Sequence, residues 1–281
     1  MGVAHFDAWA ATFVRYENRV EVTPDGSGFR MSRRPVAIQN FPEMRSIFAE
    51  IADLLPSDAL DLVRPTAEVK NFTARSTEAQ KRFVADLAER AELIRLGDPR
   101  RMGEAPDDFP DNMLLICGDG RKVALDPMLV DIHEASPKVE LMADEIAREY
   151  HEGMTVEYGG TRGHLQLVFA DFGTPHPDDS QTYGRVKAAL VARGVPAERI
   201  RFIHEAKTDK ARHAVFSACR DGSISILLGS TEKLGTGTNV QRRLKALHHL
   251  DTPGVRATWS SATGAASVPA TSTPRSRSTG M

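Results

Sequence analysis

From Leu165 onward, short apolar runs and helical stripes alternate along the chain. Leu165 to Phe169 is a run of strand length, followed by a turn region rich in Pro and Asp, Thr174 to Asp179. Tyr183, Val186 and Leu190 then recur at helical spacing until Gly194 and Pro196. Arg199 to Ile203 reads as a second strand. Thr208 or Asp209 can cap a helix whose inner face is Ala211, Val215, Ala218 and Cys219, with Gly222 as its stop. Ile224 to Leu228 and Ala246 to Leu250 supply a third and a fourth strand. Such alternation predicts an α/β fold: a parallel sheet with right-handed crossovers, flanked by helices. Ligands of such sheets sit at the carboxyl ends of the strands.

Before Leu165 the pattern is mostly helical. Ser136-Pro137 starts a helix whose face is Val139, Met142, Ile146 and Tyr150 and whose end is Gly153. Pro42 to Leu55 carries Met44, Ile47, Phe48, Ile51 and Leu54 at helical spacing. A longer helix runs from Thr77 to Leu96, with Gln80 completing a capping box and Phe83, Leu87, Ala91 and Ile94 as its buried stripe. These stripes read as packing surfaces, not cofactor boxes. Glu21 to Thr23 and Phe29 to Met31 flank Pro24-Asp25-Gly26 and predict a hairpin. Residues 98–111 read as an acidic surface loop. Residues 254–281 contain no Leu, Ile, Phe, Asp or Glu and are expected to be disordered. The expected divisions are therefore 1–112, 113–253 and the tail.

Composition narrows the function classes. No apolar run is long enough for a membrane span, and the N-terminus lacks a signal-like pattern, so a cytoplasmic protein without membrane partners is expected. Cys117 and Cys219 stand in unrelated contexts and read as free thiols. The net charge of −2 gives no general attraction to nucleic acid, so any such contact must be local. Among the basic clusters, Arg33-Arg34 and Arg100-Arg101 read as solvated charge. Arg242-Arg243 with Lys245 reads equally as solvated charge or as a DNA contact.

The strongest chemical signal is Ser230-Thr231 followed by Gly235-Thr236-Gly237-Thr238-Asn239 and Gln241, directly after an apolar strand. Glycines at that place let backbone amides approach phosphate closely. The order does not suit a dinucleotide enzyme, which needs Gly-x-Gly-x-x-Gly after the first strand of its unit. A metal site is not expected, because adjacent His248 and His249 on a strand face opposite sides. No Gly-x-Ser-x-Gly elbow supports a hydrolase.

The stretch Ile226 to Gln241, with Ala246-Leu-His-His-Leu250-Asp251 after it, resembles motif V and the following strand in superfamily 2 helicases of the Swi/Snf type. The resemblance covers roughly residues 113–253. Ser136-Pro-Lys138 is similar to a helix start of that family's second RecA-like lobe, Leu167 to Phe172 to its motif IV, and His204 to Arg212 to the region between motifs IV and V. Leu234 stands where the family usually has glycine. The first 110 residues resemble the end of lobe 1 and the inter-lobe insertion of large methylase-helicase proteins of bacterial mobile elements.

The resemblance implies phosphate contacts from the amides around Gly235 and Gly237 and DNA-backbone contacts from the Ser230 and Thr231 hydroxyls. It implies a bracing role for Asn239, coupling of DNA to nucleotide by Gln241, and an inter-lobe cleft near Asp171, Arg212 and Asp251; Asn239 and Asp251 read equally as a satisfied loop residue and a strand cap. The intact family uses ATP and Mg²⁺; its partners would be DNA and a separate or lost lobe 1 with a methylase region. This chain has no Walker A loop, no DExx box, no methylase motif and no Gln-Arg-x-Gly-Arg motif VI. It is therefore expected to be inactive alone and to hold neither ATP nor Mg²⁺ demonstrably by itself. Shifting residues 254–281 by one base over GC-rich codons can restore a Trp-x-Pro turn and Gln-Arg-Asp-Gly-Arg in order, so a lost base near Thr252 and Pro253 is expected. The alternative is a non-catalytic nucleic-acid or protein interaction module that keeps the lobe fold.

Overall fold

The structure, a computed structural model, describes residues 5–22, 29–53, 68–96, 111–175, 182–235 and 239–251. The turn Pro24-Asp25-Gly26, Leu54, nearly all of the loop 98–111, Thr236, Gly237, Thr238 and the tail lie outside the described residues. The chain divides into two compact units, 1–61 with 85–118 and 62–84 with 119–281.

In the first unit, helix α1 (Phe6–Phe13) runs directly into strand β1 (Val14–Val22), which pairs antiparallel with β2 (Phe29–Ile38). Buried Ala10 and Phe13 give α1 its inner face. The chain leaving β2 returns to the same helix, since Gln39 N donates to Phe13 O at 2.8 Å and Asn40 Nδ2 to Thr12 O at 2.8 Å. Helix α2 (Phe41–Ala49) follows, shorter than the expected 42–55. The hairpin is much longer than expected, because its strands are stabilised by pairing and cross-strand charges while exposing their apolar residues. The second half of α3 (Glu78–Arg95) also belongs to this unit, where Arg90 and Asp111 form a two-pronged ion pair at 2.8 and 2.9 Å.

In the second unit, α3 starts with the expected capping box: Thr77 N donates to Gln80 Oε1 at 2.9 Å and Gln80 N to Thr77 Oγ1 at 3.2 Å. Gln80 then spends its amide on Val123 O, at 2.8 Å, near the end of α4 (Met113–Leu125). Ser136 caps α5 (Pro137–Gly153) through a 3.2 Å bond from Val139 N. A two-rung hairpin, β3 (Glu157–Tyr158) and β4 (Thr161–Arg162), precedes the sheet. The sheet contains β5 (Leu165–Phe169), β6 (Ile200–Phe202), β7 (Ile226–Gly229) and β8 (Leu244–His249), all parallel, in the order β6-β7-β5-β8.

Two apolar layers sandwich it. One gathers Val168, Ile226 and Leu228 with Ile146 and Ala147 of α5 and Val186 and Leu190 of α6 (Thr182–Ala192). The other gathers Leu165, Leu167, Phe169 and Leu227 with Phe216 and Cys219 of α7 (Asp209–Asp221). Thr208 Oγ1 caps α7 by accepting from Ala211 N at 3.2 Å, and Gly222 ends it with φ +92°. A four-stranded parallel sheet between helices is the α/β class expected from the sequence. No helix among the described residues is long and apolar enough to cross a membrane.

Candidate functional site

Neighbouring strands β5 and β7 send their following chain to opposite faces of the sheet. After β5 the chain enters α6, in the layer with α5; after β7, Leu234 and Val240 enter the layer with α7. Such a divergence opens a crevice at the carboxyl ends of the two strands. The loops flanking it carry Asp171 and Ser230-Thr231.

Asp171 spans that crevice. Thr231 N donates to its Oδ1 at 2.7 Å and Thr231 Oγ1 to its Oδ2 at 3.2 Å. Asp251, two residues beyond β8, in turn fixes Asp171: Asp251 Oδ2 accepts from Asp171 N at 2.8 Å and from Phe172 N at 3.3 Å. One carboxylate therefore sets the loop after β5, and that loop's carboxylate sets the loop after β7. Burial pushes the Asp251 carboxyl above its ordinary range, and the neighbouring Asp171 charge adds to the shift. Its Oδ1 is buried without a hydrogen-bond partner among the described residues. Lys138, in the first turn of α5, feels Asp251; burial lowers its ammonium pKa while the carboxylate works in the other direction. Tyr183 closes the floor, its hydroxyl donating to Ala170 O at 2.6 Å and its ring meeting His204 edge-on at 5.3 Å.

Ser230 and Thr231 have different surroundings. Ser230 is half-buried and caps the single turn α8 (Thr231–Leu234), its Oγ accepting from Lys233 N at 3.4 Å. Thr231 is buried and its hydroxyl is committed to Asp171. Gly235 closes the turn by donating to Thr231 O at 2.8 Å, and a Cβ there would run into that same carbonyl. Asn239 is exposed and its carbonyl accepts from Arg220 Nη1 at 2.9 Å. Gln241 begins a 3₁₀ turn leading into β8.

Among the three expected cleft residues, the structure joins Asp171 and Asp251. Arg212 lies in the first turn of α7, where it forms a loose ion pair with Asp209 at 3.8 Å. The basic cluster also divides. Arg242 and Lys245 are exposed, whereas Arg243 is 2% exposed at the opposite end of β8. Arg243 Nη2 donates to Thr161 O and Oγ1, both at 2.7 Å, and its guanidinium lies 5.0 Å from the Tyr158 ring centre. Its Nε and Nη1 have no acceptor among the described residues, and burial lowers its pKa. Arg243 thus pins the β3–β4 hairpin and is unavailable to DNA.

His248 and His249 face opposite sides of β8 as expected. His249 stacks on Phe169 at 4.9 Å, and His248 Nε2 meets Gln166 Oε1 at 2.7 Å. Since Gln166 Nε2 donates to Ile146 O at 3.0 Å, its oxygen must face the imidazole, so His248 Nε2 carries the proton. Burial holds the His248 pKa down at about 4.

Sequence reasoning missed Asp126, which is wholly buried and accepts from Arg185 Nη1 at 2.7 Å and Thr182 Oγ1 at 3.2 Å. It ties the segment before α5 to the start of α6. No His, Cys, Asp or Glu grouping among the described residues is suited to a metal ion. Compared with protein-family models and with curated proteins, the chain matches none.

Proposed function

We propose that residues 113–253 are the second RecA-like lobe of a Swi/Snf-type DNA translocase, handling phosphate at the crevice between β5 and β7. The observation that carries this reading is the Asp171–Thr231 bridge, which holds the Ser230 to Gly235 turn at the divergence of two adjacent parallel strands. That is where α/β sheets bind ligands. The motif resemblance of Ile226 to Gln241 and of the strand ending in Asp251 supports it from the sequence.

In this reading Ser230 and the amides around Gly235 meet the DNA backbone, and Thr231, Asp171 and Asp251 hold that loop in place. ATP and Mg²⁺ would bind only with a lobe 1 bearing a Walker A loop, so this cytoplasmic chain alone does not hydrolyse ATP. Amide hydrogen exchange tests the reading. Saturating duplex DNA should slow exchange at residues 230–241, and ATP added to the chain alone should yield no phosphate release. Unchanged exchange in that loop while DNA is bound would refute the reading and leave the chain a non-catalytic interaction module with this fold.

A further inference from the structure

Most described residues of the β1–β2 hairpin of the first unit are exposed, with Val14, Tyr16, Glu21, Ser32 and Val36 half-buried. Strands of nine and ten residues span about 30 Å at roughly 3.3 Å per residue. They pair from Val14 opposite Ile38 to Val22 opposite Phe29, with an irregularity at Arg15/Tyr16. Alternation then gives the ribbon two unlike faces.

One face is ionic, with Arg15, Arg19, Arg30 and Arg34 around Glu17 and Glu21. Arg34 grips Glu21 at 2.7 and 2.8 Å, while Arg19 and Arg15 share Glu17 at 3.4 and 3.5 Å. The other face holds Tyr16, Val20, Phe29, Met31 and Arg33. Phe29 is 78% exposed, Met31 65% and Val20 64%. The Arg33 guanidinium lies 4.7 Å from the Tyr16 ring centre and pairs with no carboxylate among the described residues. Both glutamates of the strands lie on the first face, so the second is aromatic, aliphatic and cationic with no negative charge. The two strands carry five arginines against two glutamates, in a chain whose net charge is −2.

We propose that this second face binds single-stranded nucleic acid. An exposed Phe29 ring, a half-buried Tyr16 ring and a guanidinium with no carboxylate partner among the described residues, on a ribbon with an excess of arginine, are what strand binding uses, with bases stacking on flat side chains and arginine meeting the backbone. Charge complementarity selects a polyanion over an apolar protein surface. The Tyr16 and Phe29 rungs lie six residues apart along β2, or about 20 Å, comparable with the span of the shortest strand-binding sites of about four nucleotides. Sequence alone read Arg33-Arg34 as solvated charge. The ribbon separates them, sending Arg34 to the ionic face and Arg33 to the stacking face. The inference stands on the first unit alone and does not depend on the function proposed for the second.

Fluorescence anisotropy of the full chain with a labelled oligothymidylate, and with a duplex of equal length, tests it. The single strand should bind more tightly than the duplex. Phe29→Ala and Arg33→Glu should each weaken single-strand binding about fivefold or more, and Arg33→Glu should also flatten the salt dependence. Arg19→Ala, on the ionic face, should change affinity less than twofold. Circular dichroism checks that each variant is folded, and crosslinking of 4-thiothymidine to peptide 29–38 of the wild-type chain reads the contact without any substitution. Equal binding by wild type and both variants, tighter duplex binding, absence of that crosslink, or self-association abolished by Phe29→Ala would overturn the inference. Loss in the hairpin variants with an unprotected 230–241 loop upholds the hairpin and removes the translocase reading; loop protection with silent hairpin variants does the reverse.

Discussion

The Asp251 carboxylate holds the backbone of Asp171 from 80 residues away, accepting its N–H at 2.8 Å and so aiming the Asp171 side chain across the crevice at Thr231. Asp251 thus reaches the candidate phosphate loop only through Asp171, whose carboxylate bonds Thr231 within it.

Asp251→Ala leaves two N–H groups just beyond the carboxyl end of β5 without their acceptor and should cost about 2–3 kcal/mol. Asp251→Asn keeps a carbonyl oxygen for them and removes the charge whose burial raises the carboxyl pKa. It should therefore stay within about 1 kcal/mol of the parent. Urea unfolding followed by circular dichroism measures both; equal damage from the two variants would mean that the ionised form itself is required.

Gly222→Ala should be severe. The position has φ +92°, and a Cβ would fall on the buried Arg243 Nη1. A loss above about 2 kcal/mol is expected. Combining it with Arg243→Ala, which removes the obstruction but leaves the backbone strain, should cost less than the two losses added together. Additive losses in the same urea experiment would show that the collision contributes nothing.

Acid should weaken the second unit before its carboxylates titrate. The folded pKa of His248 is about 4 against an ordinary 6.5, so the folded state binds fewer protons than the unfolded chain between those values. Stability should be level above pH 6.5 and fall as the pH drops towards 4, by at most about 1.4 kcal/mol per unit from this residue. His164, His204 and His249 are lowered by burial too and push in the same direction. His248→Gln can still donate to Gln166 and should shallow the slope. An unchanged slope of unfolding midpoint against pH in that variant would place the effect elsewhere.

Native protein should show one thiol to a disulfide reagent and denatured protein two. Cys117 is exposed, whereas Cys219 is buried between β5 and α7 and burial pushes its thiol up to about 12. Two thiols reacting rapidly before unfolding would contradict the packing of α7.

What could be read from the sequence was local. Leu165 to Phe169 and Ile224 to Leu228 are mostly apolar because helices cover both faces of their sheet. Thr77 with Gln80, Ser136 and Thr208 declared their caps through spacing alone. The hairpin's full length was hidden because its strands hold arginines and glutamates that pair across the ribbon and expose what apolar residues they have. Met113 to Leu125 gave no helical signal because Gly118 and Gly120 interrupt it. The contacts that organise the crevice join distant residues, and no periodicity predicts Asp251 meeting Asp171. Arg243 beside Arg242 read equally as solvated charge or as a DNA contact, and only the space left by Gly222 and the acceptors at Thr161 show why it is inside.

The strand Leu247-His248-His249-Leu250 reads the same in both directions. A slip of one residue against β5 would still offer one histidine and one leucine to each layer, so hydrophobicity alone barely distinguishes the correct alignment from its neighbour. Polar groups must make that choice. Gln166, oriented by Ile146 O, accepts from the His248 imidazole two residues along from its register partner Ala246, and Asp251 reaches the two N–H groups after β5 from a single position. The palindromic segment is thus keyed at His248 and at Asp251, and losing either key should let misaligned pairings compete during folding.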